Sequence, residues 1–182
     1  MARLPYLGAE DVSPEHRGLL RDINLAHLTI HSPGAARVSH DLAMYIRNGS
    51  KLDPRLREMA IIQIGYLTRS VYEYAHHVKI GLAAGVTEED VRAIAAETAG
   101  LATDLDLLTK AVLRAARDLT RDIALADETF ALLQRHLGNE KLMDLFLAIC
   151  SYNSTIRLLA ALQVDLEEEY RPYLERFPLP QG

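Results

Sequence analysis

Apolar residues recur every three or four positions along most of the chain, which is the spacing of one face of a helix. No run of alternating β-branched residues competes with this pattern. Several helix starts are marked by a capping residue followed by proline, because Ser or Asp caps the first turn and proline fits its first position. The sequence therefore predicts an all-α fold, with helices over about 13–28, 32–49, 53–67, 70–84, 87–96, 104–119, 127–137 and 140–162.

The third predicted helix, which contains Glu58, differs from the others because it is apolar on almost every side. That pattern is typical of a central helix or of an interface helix. The two ends of the chain, 1–12 and 169–182, are apolar but contain prolines, so we predict extended segments attached to a single 1–182 domain. These ends either pack on their own domain or wrap a neighbouring subunit. We expect the third helix and both ends to be buried between subunits.

Composition limits the class of protein. A chain of 182 residues with 49% apolar and 25% charged residues suits one soluble globular domain. The net charge of −5 leaves no basic excess for phosphates, so nucleic acid and anionic membranes are not expected partners. No window reaches roughly 18 uncharged apolar residues and no secretory leader follows Met1, so we expect a cytoplasmic protein without a membrane span. The lone Cys150 excludes an intramolecular disulfide and lies among apolar residues, which indicates an inert core thiol.

The stretch from Ser70 to His77 carries the most informative chemistry. In a helix, Ser70, Glu73 and His77 lie on one face. An apolar environment raises the pKa of a carboxylate and lowers the pKa of an imidazole, so a buried Glu73–His77 pair can exchange a proton near neutral pH. The alternative is a structural ion pair with no catalytic role.

These residues lie in the segment 52–86, which resembles the core segment of the carboxymuconolactone decarboxylase and alkylhydroperoxidase D superfamily. In the peroxidase branch of that superfamily, a glutamate is followed twelve residues later by Cys-x-x-Cys-x-x-x-His. On this chain the glutamate falls at Glu58 and the histidine at His77. The two cysteines fall at Ser70 and Glu73. Both redox cysteines are missing, so the resemblance implies a member that is not a thiol peroxidase.

Residues 142–168 also resemble the closing helix of family members that lack the thiols. The resemblance implies a compact bundle of about seven or eight helices that assembles as a dimer, trimer or hexamer. It implies that Glu58 and His77 form a hydrogen-bonded pair from two packed helices, with Glu73 in the position of the reactive thiol. Glu58 would fix the imidazole tautomer and leave the other ring nitrogen facing the cleft. The expected catalytic residues are therefore Glu58, Glu73 and His77.

The function that fits this resemblance is that of a cofactor-free lyase of the decarboxylase branch. Its acid/base chemistry would be decarboxylation, isomerisation or lactone conversion, acting on a small organic acid or lactone. The alternative is a non-catalytic oligomeric scaffold or small-molecule-binding module that kept the fold. The two differ in whether Glu58, Glu73 and His77 converge on a cavity or are sealed by apolar side chains.

Other polar side chains are candidates for contact with a substrate. Tyr72 has a phenol that can donate a hydrogen bond to an anionic intermediate. Tyr152 and Asn153 interrupt an apolar segment, so they either orient a ligand or tie two helices together. No metal site is expected, because His76 and His77 point about 100° apart and no Cys/His spacing supplies further ligands. The expected substrate-binding residues are Ser70, Tyr72, His76, Tyr152 and Asn153.

Overall fold

The computed structural model describes residues 1–180, and within that range the chain is helical with no strand, which confirms the all-α prediction. Two 3-10 turns, Pro14–Leu19 and Glu168–Tyr170, and one π-helical turn, Tyr45–Gly49, accompany the α-helices. The α-helices are α1 Asn24–Thr29, α2 Pro33–Met44, α3 Pro54–Thr68, α4 Val71–Ala83, α5 Glu88–Thr98, α6 Leu107–Arg121, α7 Asp127–Leu162 and α8 Arg171–Arg176.

Helix α3 is the central element, and every residue from Leu56 to Gly65 is buried. Its start is fixed by Asp53, whose side chain accepts a hydrogen bond from the backbone N–H of Leu56 at 3.1 Å. Helices α4, α5, α6 and α7 pack around it. The prediction of a central helix is confirmed. The prediction that this helix is buried between subunits is wrong, because helices of the same chain cover it.

Helices α3 and α4 form a tight hairpin. Its connection uses the left-handed conformation at Arg69, with φ of 54°, followed by an extended backbone at Ser70. The two helices approach closely at Gly65, where an added Cβ would lie 3.0 Å from the Cα of Tyr74. Ser70 therefore precedes α4 instead of lying within it, contrary to the prediction from spacing.

The predicted 13–28 helix is two short helical pieces in the structure. Leu20 and Ile23, which lie between the pieces, have extended backbone angles. The break accompanies a distant contact, since the backbone N–H of Asn24 donates to Glu167 Oε1 at 2.6 Å and fixes the start of α1. A local pattern contains no information on a partner so far along the chain.

Helix α7 is long but interrupted at Gly138, where φ is 70° and ψ is 171°, so the break predicted between 137 and 140 is confirmed. One 18-residue window of this helix has a mean hydropathy of 1.5 and passes a length-and-composition test for a membrane span. Its longest run without a charged residue is 145–156, between Asp144 and Arg157, so the helix has no window of 18 uncharged apolar residues, as the sequence predicted. The same helix packs against α3 and α6, and a core helix passes the same test.

Both ends of the chain pack on their own domain. At the N-terminus, the backbone N–H of Arg3 donates to the Leu162 carbonyl at 2.8 Å, and the Tyr6 hydroxyl donates to Asp165 at 3.0 Å. At the C-terminus, Phe177 is 4% exposed within an apolar cluster formed by α3, α4 and α5. Burial of these ends between subunits stays a prediction, because Leu4 and Tyr6 are still 40% and 37% exposed in the single chain. The last two positions, 181 and 182, lie outside the described residues.

We expect Gly65→Ala to lower the free energy of unfolding by about 1–3 kcal/mol, because the new methyl group would meet the Tyr74 backbone, which cannot rotate away. The control is Gly34→Ala in α2, where nothing lies within 4 Å of the added Cβ. There alanine should be neutral or stabilise the helix by up to about 1 kcal/mol. Urea denaturation measures both values. Equal effects of the two substitutions would contradict the close approach of α3 and α4.

Candidate active site

Three ionisable side chains of the α3–α4 hairpin stand in direct contact. His77 Nδ1 lies 2.6 Å from Glu58 Oε2, and His77 Nε2 lies 2.9 Å from Glu73 Oε1. Glu58, Glu73 and His77 are 0%, 4% and 2% exposed. Glu58 comes from α3, while Glu73 and His77 lie one turn apart on α4. We call this row the Glu58–His77–Glu73 relay.

The second ring nitrogen of His77 differs from its expected position. It faces Glu73 and not an open cleft, because Glu73 lies one turn earlier on the same face of α4. Glu73 and His77 line a cavity, and Glu58 lies behind them in the core. The relay therefore runs from the protein interior outwards.

Arg57 connects the inner end of the relay to a neighbouring turn. Its Nε donates to Glu58 Oε1 at 2.9 Å, so both oxygens of this buried carboxylate have partners. Its Nη1 donates to the Arg47 carbonyl at 3.1 Å and to the Ile46 carbonyl at 3.4 Å. These two carbonyls belong to the π-helical turn that follows α2. The guanidinium of Arg57 thus positions Glu58 and the turn together.

The inner two groups of the relay form a buried ion pair. Burial opposes charge on Glu58, but His77 and Arg57 outweigh burial and hold the pKa of Glu58 below its ordinary value. Burial also opposes charge on His77, but Tyr152 and the two carboxylates hold the pKa of His77 well above its ordinary value. Burial alone would have raised the pKa of Glu58 and lowered the pKa of His77, so both pKa values shift in the opposite direction. Near neutral pH the pair is a carboxylate and an imidazolium with a proton on each ring nitrogen.

A cavity of about 260 Å³ opens beside the relay. On one wall, Glu73 and His77 stand next to Tyr152 of α7, whose ring meets the His77 ring edge-on at a centroid distance of 4.6 Å. The other wall comes from residues between 19 and 47, which supply apolar side chains and two cations, Arg21 and Arg47. The outer part of the relay is therefore open to a cavity and not sealed by apolar groups.

His76 makes a different set of contacts from its neighbour His77. Its ring is stacked between those of Tyr72 and Tyr170, at centroid distances of 4.2 and 3.6 Å. Its Nε2 lies 2.8 Å from Glu167 Oε2, and the Tyr72 hydroxyl donates to Glu167 Oε1 at 3.0 Å. Burial lowers the pKa of His76 in spite of this carboxylate. Two adjacent histidines therefore have opposite pKa shifts.

Three of the five expected substrate-binding residues line the cavity, namely Tyr72, His76 and Tyr152. The other two do not. Ser70 precedes α4 as its N-cap residue and is not part of the cavity wall. The amide of Asn153 donates to Thr120 Oγ1 and to the Ile149 carbonyl, so it ties α7 to α6. Within residues 1–180, no group of three or more His, Cys, Asp or Glu side chains is arranged to hold a metal ion.

The sequence analysis missed Arg21, Arg47 and Glu167. Each of the two arginines follows a hydrophobic residue, Leu20 or Ile46, but precedes a polar one, Asp22 or Asn48, so the local sequence did not single them out. Glu167 lies in an acidic run, and the local sequence did not single it out either.

The prediction that Cys150 is an inert core thiol is wrong. This thiol is exposed on α7, and only the neighbouring face of the helix is buried.

Comparison with known proteins finds one family model and several solved structures that resemble the chain. The model of the carboxymuconolactone decarboxylase family matches residues 33–118, a range that includes the complete relay. An uncharacterized peroxidase-related protein from Ralstonia eutropha JMP134, described as an alkylhydroperoxidase AhpD core, has a TM-score of 0.80 at 14% identity over 98% of both chains. Residues 33–118 thus match the carboxymuconolactone decarboxylase family, and the fold of the chain is that of an alkylhydroperoxidase D-like protein.

Two further solved structures share the superfamily fold. A peroxidase-related protein from Silicibacter sp. TM1040 has a TM-score of 0.71 at 16% identity, covering 81% of this chain and 78% of that one. A cysteine-to-alanine variant of the debrominase Bmp8, in complex with 2,3,4-tribromopyrrole, has a TM-score of 0.82 at 19% identity. The match covers 97% of this chain and 100% of that one. At these identities the likeness concerns the fold. A search of curated protein sequences finds no significant match.

We expect nuclear magnetic resonance to find His77 titrating above the ordinary imidazole value and His76 titrating below it. At pH 7.5, ring ¹⁵N shifts should report an imidazolium for His77 and a neutral ring for His76. Glu58→Gln should lower the pKa of His77, because it removes the carboxylate that pairs with Nδ1. The same substitution should leave His76 unchanged. A neutral His77 in the wild-type protein would contradict the ion pair.

Proposed function

We propose that this protein is a cofactor-free acid/base enzyme that transfers a proton on a small organic acid or lactone. The supporting observation is that the outer carboxylate of the relay, Glu73, lines a cavity of about 260 Å³ while the inner carboxylate is fully buried. A relay sealed by apolar side chains would have favoured a non-catalytic binding module. Its opening to a cavity favours an enzyme.

In the proposed mechanism Glu73 is the residue that touches the substrate. One of its oxygens is paired with His77, which leaves the second oxygen to take a proton from carbon or oxygen, or to return one to a carbanion. His77 and Glu58 act through Glu73. The imidazolium holds the Glu73 carboxylate in one orientation, and Glu58 stabilises the charge of that imidazolium. Decarboxylation, isomerisation and lactone conversion all use these proton transfers.

Thiol peroxidase chemistry is not part of the proposal. The only cysteine, Cys150, is exposed on α7 and does not belong to the cavity wall. A thiol mechanism needs a reactive thiolate and a resolving partner, and the relay offers carboxylates and an imidazole instead. Because the similar debrominase binds a small halogenated ring, planar cyclic acids belong in a substrate screen beside lactones and keto acids.

We also propose that the protein is a homo-oligomer. Met143, Cys150 and Leu158 lie along one largely exposed face of α7, at spacings of seven and eight residues. Met143 is 65% exposed, and Val38 on α2 is 69% exposed. A stripe of this kind is more typical of a protein interface than of a surface in contact with water.

We expect Glu73→Gln to reduce turnover of a substrate found by the screen by about 10²- to 10⁴-fold, the usual contribution of a general base. Exchange of substrate carbon-bound protons in deuterium oxide, followed by nuclear magnetic resonance, measures the proton transfer directly. Glu58→Gln should reduce exchange less, because Glu58 acts through His77. Glu89→Gln, at an 84% exposed position, is the control. Wild-type exchange rates in Glu73→Gln would refute Glu73 as the base.

For the assembly, we expect light scattering at micromolar concentration to give a dimer or a larger species. Met143→Lys should shift the population to smaller species, because it places a charge in the apolar stripe of α7. Lys141→Gln, at an exposed position on another face of α7, should leave the mass unchanged. A monomeric wild-type protein would overturn the proposal.

A further inference from the structure

Two guanidinium groups face the cavity without a carboxylate partner. Arg21 lies in the link before α1, and Arg47 lies in the π-helical turn after α2. Among residues 1–180, neither side chain forms an ion pair with Asp or Glu. The Nε of Arg47 is buried and has no hydrogen-bond partner at all.

Other partly buried arginines of this chain have partners. Arg55 makes two hydrogen bonds to the Asp90 carboxylate, at 2.9 and 2.6 Å. Arg57 pairs with Glu58. At the cavity, by contrast, burial and the nearby charge of Arg47 lower the pKa of Arg21. Burial opposes the charge of Arg47 as well, but Tyr152, Glu58 and Glu73 outweigh burial and raise the pKa of Arg47, so the less compensated charge is that of Arg21. One anion between the two guanidinium groups would give the buried Nε of Arg47 an acceptor and offset the repulsion that acts on Arg21.

We propose that Arg21 and Arg47 bind a carboxylate of the substrate and hold it opposite Glu73. A planar guanidinium matches a carboxylate because it offers two parallel N–H groups. The formal charges of Arg57, Glu58, His77 and Glu73 cancel, so the two cavity arginines leave the site with an excess of positive charge. This assignment rests on the proposed function only for the role of Glu73 as the proton-transferring group.

The bound carboxylate is retained in the product. A carboxylate that leaves as carbon dioxide loses its negative charge on the way to the transition state. Two cations would therefore stabilise the ground state more than the transition state and slow the loss of that group. The substrate class is a carboxylate-bearing lactone or an unsaturated or keto acid, whose reacting carbon lies away from the bound carboxylate. Decarboxylation would require a second carboxylate on the same molecule.

The proton transfer that fits this placement is an isomerisation. The substrate C–H bond breaks, its electron pair moves into an enolate, and Glu73 takes the proton. Glu73 then returns the proton to a different carbon, so no oxidant or co-reactant is needed. Arg57 fixes the position of the relay relative to the turn that carries Arg47, because it donates hydrogen bonds both to Glu58 and to the Arg47 carbonyl.

A matched pair of probes, benzoate and benzamide, tests the carboxylate site by titration calorimetry. The two molecules have nearly the same shape, and only benzoate carries the charge. We expect wild-type protein to bind benzoate at least about tenfold more tightly than benzamide. Arg47→Gln and Arg21→Gln should each remove most of that preference and leave benzamide affinity unchanged, which also shows that the variants are folded. Arg37→Gln, at an exposed position on α2, is the control.

Three results would overturn the assignment: equal affinity for the two probes, the absence of saturable binding of either probe, or a benzoate preference that survives in the Arg21→Gln, Arg47→Gln double variant.

Glu73→Gln separates this assignment from the proposed function. It should keep the benzoate preference, because Glu73 is not a ligand of the carboxylate. Loss of substrate turnover with benzoate preference intact supports both proposals. Turnover that persists in Glu73→Gln refutes only the catalytic role.

Discussion

The buried ion pair between Glu58 and His77 is the interaction on which the centre of this structure depends. Removing a carboxylate from water costs several kcal/mol, and only partners on both oxygens recover that cost. His77 provides one partner from α4, and Arg57 provides the other from α3 itself. Breaking such a pair by removing one member typically costs about 3–5 kcal/mol, because a charge remains buried without a partner. The relative position of α3 and α4 is therefore fixed electrostatically as well as by packing.

Close packing of the two helices is what makes this contact short. At Gly81 of α4, an added Cβ would lie 2.9 Å from Ile62 and 3.4 Å from the Cβ of Glu58. At Gly65 of α3, the neighbouring atoms are those of the α4 backbone. Glycine at both points lets the helices approach until a carboxylate on one reaches an imidazole on the other. The ion pair and the glycines thus depend on each other.

The helical rotation of 100° per residue separates the roles of two adjacent histidines. His77 faces two carboxylates and carries a charge, whereas His76 lies between two tyrosine rings and its pKa is lowered by burial. The contacts of His76 with Glu167 also bind α4 to the segment after α7. That segment in turn fixes the start of α1, through the bond from Asn24 to Glu167. One carboxylate thereby joins the wall of the cavity to the N-terminal residues that cover it.

The sequence by itself determined the elements whose signals are local. The Asp53 cap, the break at Gly138 and the apolar third helix each depend on residues a few positions apart, so the sequence predicts them without knowledge of the fold. The spacing of Glu73 and His77 belongs to the same group, since it needs only one turn of helix. Their pairing with Glu58 came from the family resemblance and not from spacing.

Only the tertiary structure decided the long-range contacts. Arg21 and Arg47 line the same cavity, and Glu167 accepts a hydrogen bond from Asn24, which is more than a hundred residues away in the sequence. Both contacts result from the packing of helices, and the sequence of a helix does not show which other helix it packs against. The direction of the pKa shift of His77 was decided in the same way. Burial alone would have lowered the pKa, and the fold raised it by bringing carboxylates from two helices to one ring. Electrostatic effects inside a protein depend on distances, and distances between segments are set by the fold.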